Sequence, residues 1–181
     1  MSNLSDIDRR FTDWENCDLP SVRAGLVEAI VAERAEASGR DADATWYGGG
    51  TRALDVTSVE DGTLVRRNAK SVRLEKYKGE LHVALARYNA QPYDAEKVDR
   101  IVMVLLDDAS SGFKVDLERG IASMEGHVSI DRIWDVPVSA LNDELPDHDP
   151  ATEGNIRNAL FRFEQLEPYL VWRRNTDIER E

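Results

Sequence analysis

Six cations crowd one short stretch of the chain: Arg66, Arg67, Lys70, Arg73, Lys76 and Lys78, with Tyr77 among them. Guanidinium and ammonium groups at this density attract carboxylates and phosphates. In a chain with a formal net charge of −12, this is the best candidate for a surface that meets an acidic protein partner. Arg66, Arg67, Lys70, Arg73 and Lys78 are the residues assigned to it. The same pattern has a plainer use, because cations on a hairpin keep an open strand edge from pairing with another chain.

A second candidate is Gly48-Gly49-Gly50-Thr51-Arg52. Glycines let a backbone approach a phosphate closely, and Arg52 could pair with it. Neither the dinucleotide-binding spacing nor the P-loop spacing is present. Gly48, Gly49, Gly50 and Arg52 therefore read as a flexible loop, with a phosphate-bearing ligand or a partner as the functional alternatives. The three histidines, His82, His127 and His148, show no metal-ligand spacing, although His82 and His127 would share a sheet face with Asp116 and Glu125 if their strands were neighbours. Asp107 and Asp108, with Asp116 and Glu118, offer carboxylates near a predicted helix end, where solvent is expected. Neither GxSxG nor HExxH occurs, and no histidine lies near Cys17 in sequence. No catalytic residue, metal or cofactor is assigned.

Bulk properties limit the classes further. A chain of 181 residues suits one domain and buries enough surface to fold without a staple. Cys17 is the single cysteine, so an internal disulfide and a cysteine-based zinc site are excluded, which fits a reducing compartment. The first residues lack the apolar segment of a secretory signal. The longest apolar run, Ile101 to Leu106, is far too short to span a bilayer. Strong acidity disfavours general nucleic-acid binding. A cytoplasmic protein is expected, with no membrane contact and no direct nucleic-acid partner.

Certain elements must position these residues. Val72 and Leu74 alternate with Arg73 and Glu75. After Tyr77-Lys78-Gly79, the inward residues Leu81, Val83 and Leu85 alternate with His82, Ala84 and Ala86, a hairpin with one buried face. Asp61-Gly62 is a turn signal, with short strands around Val56 and Leu64. Helices are predicted over 21–38, where Val22, Leu26, Ala29 and Ile30 share a face, over 94–109, where Val98, Ile101, Val102, Leu105 and Leu106 keep helical spacing, and over 150–167. A second hairpin turns at Arg119-Gly120. The chain divides into an N-terminal arm (1–20), a single domain (21–170) and a charged tail (171–181). The predicted fold is α+β: an antiparallel sheet of about five strands with helices packed mainly on one face.

This order of elements, together with the strand and turn Phe113-Lys114-Val115-Asp116-Leu117-Glu118-Arg119-Gly120, resembles the type III secretion chaperone-like group, including the bacterial YbjN-like proteins. The resemblance implies a small acidic homodimer that binds another polypeptide and has no catalytic residues. The leading expectation is a non-catalytic, chaperone-like or adaptor module acting on a protein partner. The alternatives are an acidic inhibitor, such as a toxin-immunity or antirestriction protein, and an enzyme or binder of a phosphate-bearing ligand at the Gly48–Arg52 loop.

Overall fold

The computed structural model of the chain describes residues 27–35, 56–88, 93–106, 113–116, 121–124, 130–143 and 156–174. Two Xaa-Gly pairs organise its first half. Asp61 and Gly62 have φ of 50° and 78°, and Lys78 and Gly79 have 49° and 88°. Two successive left-handed residues make the tight turn whose twist matches that of the flanking strands, and glycine takes the second place without strain. These turns join β1 (Val56–Glu60) to β2 (Thr63–Tyr77), and β2 to β3 (Glu80–Tyr88).

Strand β4 (Arg100–Leu106) follows, then β5 (Phe113–Asp116), β6 (Ile121–Met124) and β7 (Ile130–Pro137). The chain continues through β8 (Ile156–Phe161) and β9 (Leu170–Arg173). Helix α1 covers residues 27–35, α2 is Val138–Asp143 and α3 is Phe163–Leu166. A 3-10 turn, Glu167–Tyr169, leads into β9, and Pro168 sits in its first turn, where no N–H is needed.

Among the described residues, seven strands form one sheet in the order β8-β3-β2-β4-β7-β9, with β1 also paired to β2, while β5 and β6 form a separate pair. Arg67 pairs with Val56 across one edge of β2 and with Arg100 across the other. Strand β1 therefore shares with β3 the edge opposite β4. The β2–β4 pairing is parallel and the remaining pairings are antiparallel.

This corrects the predicted fold. Among the described residues the molecule is mostly sheet, mixed in direction and wider than five strands, with three short helices. The helix predicted over 94–109 is the strand β4, and the one predicted over 150–167 gives up Ile156–Phe161 to β8. The physical reason in β4 is burial on both faces: five successive residues, Ile101 to Leu105, are buried. A strand buried on both sides is apolar at every position, and any such run contains a helical stripe as a subset. Of the helices behind the chaperone-like element order, the one over 94–109 is therefore a strand where it is described, and the one over 150–167 is in part a strand. The expected uncovered sheet face is also absent from the middle strands.

Two cores result. Ile101, Met103 and Leu105 of β4 join Val83, Leu85, Trp134, Val136, Phe161 and Leu166 on one face, which α2 closes with Val138 and Leu141. Val102 and Val104 point the other way, where Val27, Ile30 and Val31 of α1 cover Val56, Ala69 and Ile133. The β2–β3 hairpin keeps the predicted strands and turn, and Val83 and Leu85 are fully buried, but the assignment of faces differs at its tip. Leu81 is 50% exposed, and His82 is buried with its ring edge-on to Tyr77. The tip extends beyond the part of β3 that β8 pairs with.

Candidate functional site

Strand register lines up a row of polar groups beneath α1. Ser58 and Glu60 lie two and four residues beyond Val56, so all three share one face of β1. Arg67 pairs with Val56 and also with Arg100, and Asp135 pairs with Val102. Cross-strand partners share a face, and so do residues two apart. Ser58, Glu60, Arg67, Arg100 and Asp135 therefore occupy the α1 face together, at the end of the sheet where the apolar cover thins.

The Arg67 side chain is only 4% exposed. Its Nη1 donates to Ser58 Oγ at 2.6 Å, its Nη2 donates to Glu60 Oε1, and both Nε and Nη2 approach Asp135 Oδ2 at 3.4 Å. Arg100 Nε donates to Asp135 Oδ1 at 2.7 Å, and its Nη2 to the Asp135 backbone oxygen at 3.0 Å. Asp135 thus bridges two guanidinium groups, and each group answers part of the cost of burying the others.

Above this row lies a cavity of about 370 Å³, lined by Val31, Arg34 and Ala35 of α1, by Glu60, Arg67, Arg100, Val102, Ile133 and Asp135 of the sheet, and by Val171. Arg34 differs from the other two arginines. Burial alone acts on its guanidinium and pulls it below its ordinary value, and it has no ion-pair or hydrogen-bond partner among the described residues. Among the described residues that line it, three cations face two carboxylates, an excess of one positive charge.

Val171 reaches this cavity through an irregularity. Ile133 pairs with Trp172 and Trp134 with Leu170, so one step on β7 spans two on β9. Val171 is the additional residue of a β-bulge, a device that redirects a side chain at a sheet edge. It stands 50% exposed at the rim.

The basic stretch read from sequence divides between two faces of β2. Arg66, directly before Arg67, points to the opposite side and grips Asp99: Nη2 donates to Oδ1 at 2.7 Å, Nε to Oδ2 at 3.0 Å, and the Arg66 backbone N–H to Oδ2 at 2.7 Å. Those bonds hold the Asp99 carboxyl below the ordinary carboxylate range. Arg73 lies near Glu75 at 3.4 Å on the exposed hairpin, Lys78 covers the Tyr77 ring, and Lys70 is half-buried. Arg67 alone of the five enters the cavity.

Gly48, Gly49, Gly50 and Arg52 lie outside the described residues, as do His127, His148, Asp107, Asp108 and Glu118. Arg34, Glu60, Arg100 and Asp135 were missed by the sequence reading. The available signal was a charge embedded in an apolar strand: Asp135 between Trp134 and Val136, and Arg100 heading Ile101 to Leu106. Among the described residues no group of three or more His, Cys, Asp or Glu side chains is placed to hold a metal ion, and no helix is long and apolar enough to cross a membrane. Comparison with protein-family models, with curated proteins and with solved structures gives no match to this chain.

Proposed function

We propose that this chain is a non-catalytic binding protein whose working site is the arginine-lined cavity under α1, and that it holds the anionic group of a ligand there. The observation that carries this reading is Arg34, a partly buried guanidinium without a counter-charge among the described residues, facing a cavity. A buried charge is costly unless it is paired. An anion seated against Arg34 supplies the missing partner and balances the cavity. Arg67, Arg100 and Asp135 form the fixed floor. Their hydrogen bonds to one another leave the ligand a preformed wall, which lowers the ordering cost of binding.

Calorimetric titration with acetate and with inorganic phosphate tests the reading. Saturable one-to-one binding of either anion, weakened at least about tenfold by Arg34→Gln, supports it, the loss of one charge-assisted bond being worth roughly that much. If neither anion binds, the reading falls.

A polypeptide partner is a second reading, favoured by one separate observation. Leu74 and Leu81 stand 43% and 50% exposed at the tip of the β2–β3 hairpin. They share a sheet face with Lys76, because Leu81 pairs with Lys76. An apolar pair beside a cation suits an acidic, apolar segment of another chain. Sedimentation equilibrium of the wild type and of Leu81→Asp tests the case in which that chain is a second copy: a dimer mass that Leu81→Asp converts to monomer supports a homodimer through this tip.

A further inference from the structure

The cavity under α1 is lined by charged and by apolar side chains, and together they specify a ligand class. We infer that it takes a monocarboxylate with an apolar body, the carboxylate on Arg34 and the body along Val102, Ile133 and Val171; this rests on the anion-binding reading above.

Charge selects the head group. The excess in the cavity is a single positive charge, since Glu60 and Asp135 offset two of the three arginines. A monoanion balances it. A phosphate dianion would leave one negative charge uncompensated beside two fixed carboxylates, which disfavours it.

Donor geometry selects in the same direction. The Arg67 guanidinium is committed to Ser58, Glu60 and Asp135, and Arg100 gives Nε and Nη2 to Asp135. Among the described residues of the cavity, Arg34 presents the one uncommitted fork. A planar fork matches the two oxygens of a carboxylate, whereas a phosphate has a further oxygen to satisfy.

The apolar lining selects the body. Val31 and Ala35 of α1 and Val102, Ile133 and Val171 of the sheet lie among the charged groups, and the bulge in β9 places Val171 at the rim, half exposed. A ligand chain leaving the carboxylate site toward solvent covers that side chain. A cavity of about 370 Å³ sits at the small end of ligand pockets, which run to roughly 1,000 Å³. A short aliphatic chain or a single apolar amino-acid residue fits that size. The carboxylate then comes from one of two sources, a small free acid or the C-terminus of a polypeptide that ends in an apolar residue.

Calorimetry with acetate, octanoate, octyl phosphate, 1-octanol and a short acetylated peptide ending in leucine, in its free-acid and amidated forms, tests the inference. Octanoate or the peptide acid is expected to bind at least about tenfold tighter than acetate, because each buried methylene contributes a few-fold. Octyl phosphate, 1-octanol and the peptide amide are expected to bind more weakly than their carboxylate counterparts. Val171→Asn should remove most of the gain over acetate, because it takes apolar surface from the rim without adding a charge. Tighter octanoate identifies a small acid, and a tighter peptide acid identifies a chain terminus. If octyl phosphate binds more tightly than octanoate, or if neither octanoate nor the peptide acid exceeds acetate, the monocarboxylate class is overturned and anion binding stands. If none of the anions binds, both fall.

Discussion

The two faces of β4 carry the same backbone and opposite chemistry. On one, Ile101, Met103 and Leu105 meet Trp134, Val136 and Phe161 in a mainly apolar layer, with the buried Asn68 beside Ile101 as its polar member. On the other, Val102 and Val104 meet α1, but the row then runs into Arg100, Arg67 and Asp135. Well-packed apolar residues at those positions would be as stable as the ion pairs or more so. The apolar face accounts for the fold, and the mixed face keeps a feature that folding does not require. The contrast between them locates the site.

The largest effect belongs to the apolar face. Trp134 is among the bulkiest of the fully buried side chains, and Trp134→Ala should cost about 3–5 kcal/mol. Chemical denaturation measures it. A cost below that of any change on the mixed face would reverse the ranking of the two layers.

Arg67→Met comes next. It leaves Glu60 without its guanidinium partner, while Asp135 keeps Arg100. A cost of about 2–4 kcal/mol is expected, around the lower part of the range for breaking a buried pair. Adding Glu60→Gln should recover part of it, since the orphaned charge is then gone. Strict additivity of the two changes would show that Arg67 and Glu60 do not act as a pair.

These effects separate what the sequence made legible from what it did not. Both hairpin turns were readable, because Asp61-Gly62 and Lys78-Gly79 are local signals that need no tertiary context. Helix α1 lies within the predicted 21–38, and its buried residues Val27 and Val31 join the predicted Ile30, while Val22 and Leu26 of the predicted stripe fall outside the described residues. Strands β4 and β8 were not readable, because their state is decided by neighbours: β4 lies between β2 and β7, and β8 lies along β3. The site failed for the same reason. Arg66 and Arg67 look alike as letters, yet period-two geometry sends one to Asp99 and the other to the cavity.

That pair of neighbours gives a third prediction, smaller and dependent on pH. The folded state holds Asp99 below the ordinary carboxylate range, chiefly through the Arg66 side-chain bond, with the Arg66 backbone N–H and the charge of Arg67 adding to it. A carboxyl depressed on folding contributes stability above its unfolded value of about 3.9, and that contribution is lost as pH falls through the folded value. Asp99→Asn should therefore melt lower than wild type at pH 7, with the gap closing as the buffer is taken below about pH 4. A gap that stays constant down to pH 2 would mean that the Asp99 bonds act through geometry and not charge.

The smallest effect on stability is expected at Arg34, and it is the most diagnostic. Arg67 and Arg34 line the same cavity, but among the described residues only Arg67 of the two has carboxylates committed to it. Removing a paired buried charge orphans its partners, whereas removing an unpaired one orphans nothing and relieves a desolvated group. Arg34→Gln should therefore change the unfolding free energy by no more than about 0.5 kcal/mol in the absence of ligand, or raise it slightly. In the presence of a bound carboxylate the ranking changes. Wild type gains stability with ligand concentration, by about 2.7 kcal/mol at a hundredfold excess over Kd, and Arg34→Gln gains far less. Equal ligand-dependent gains in the two proteins would make Arg34 an incidental surface cation and move the site to the committed arginines below it. A large loss for Arg34→Gln without ligand would show that the guanidinium is already satisfied within the chain, and the difference between the two arginines would disappear.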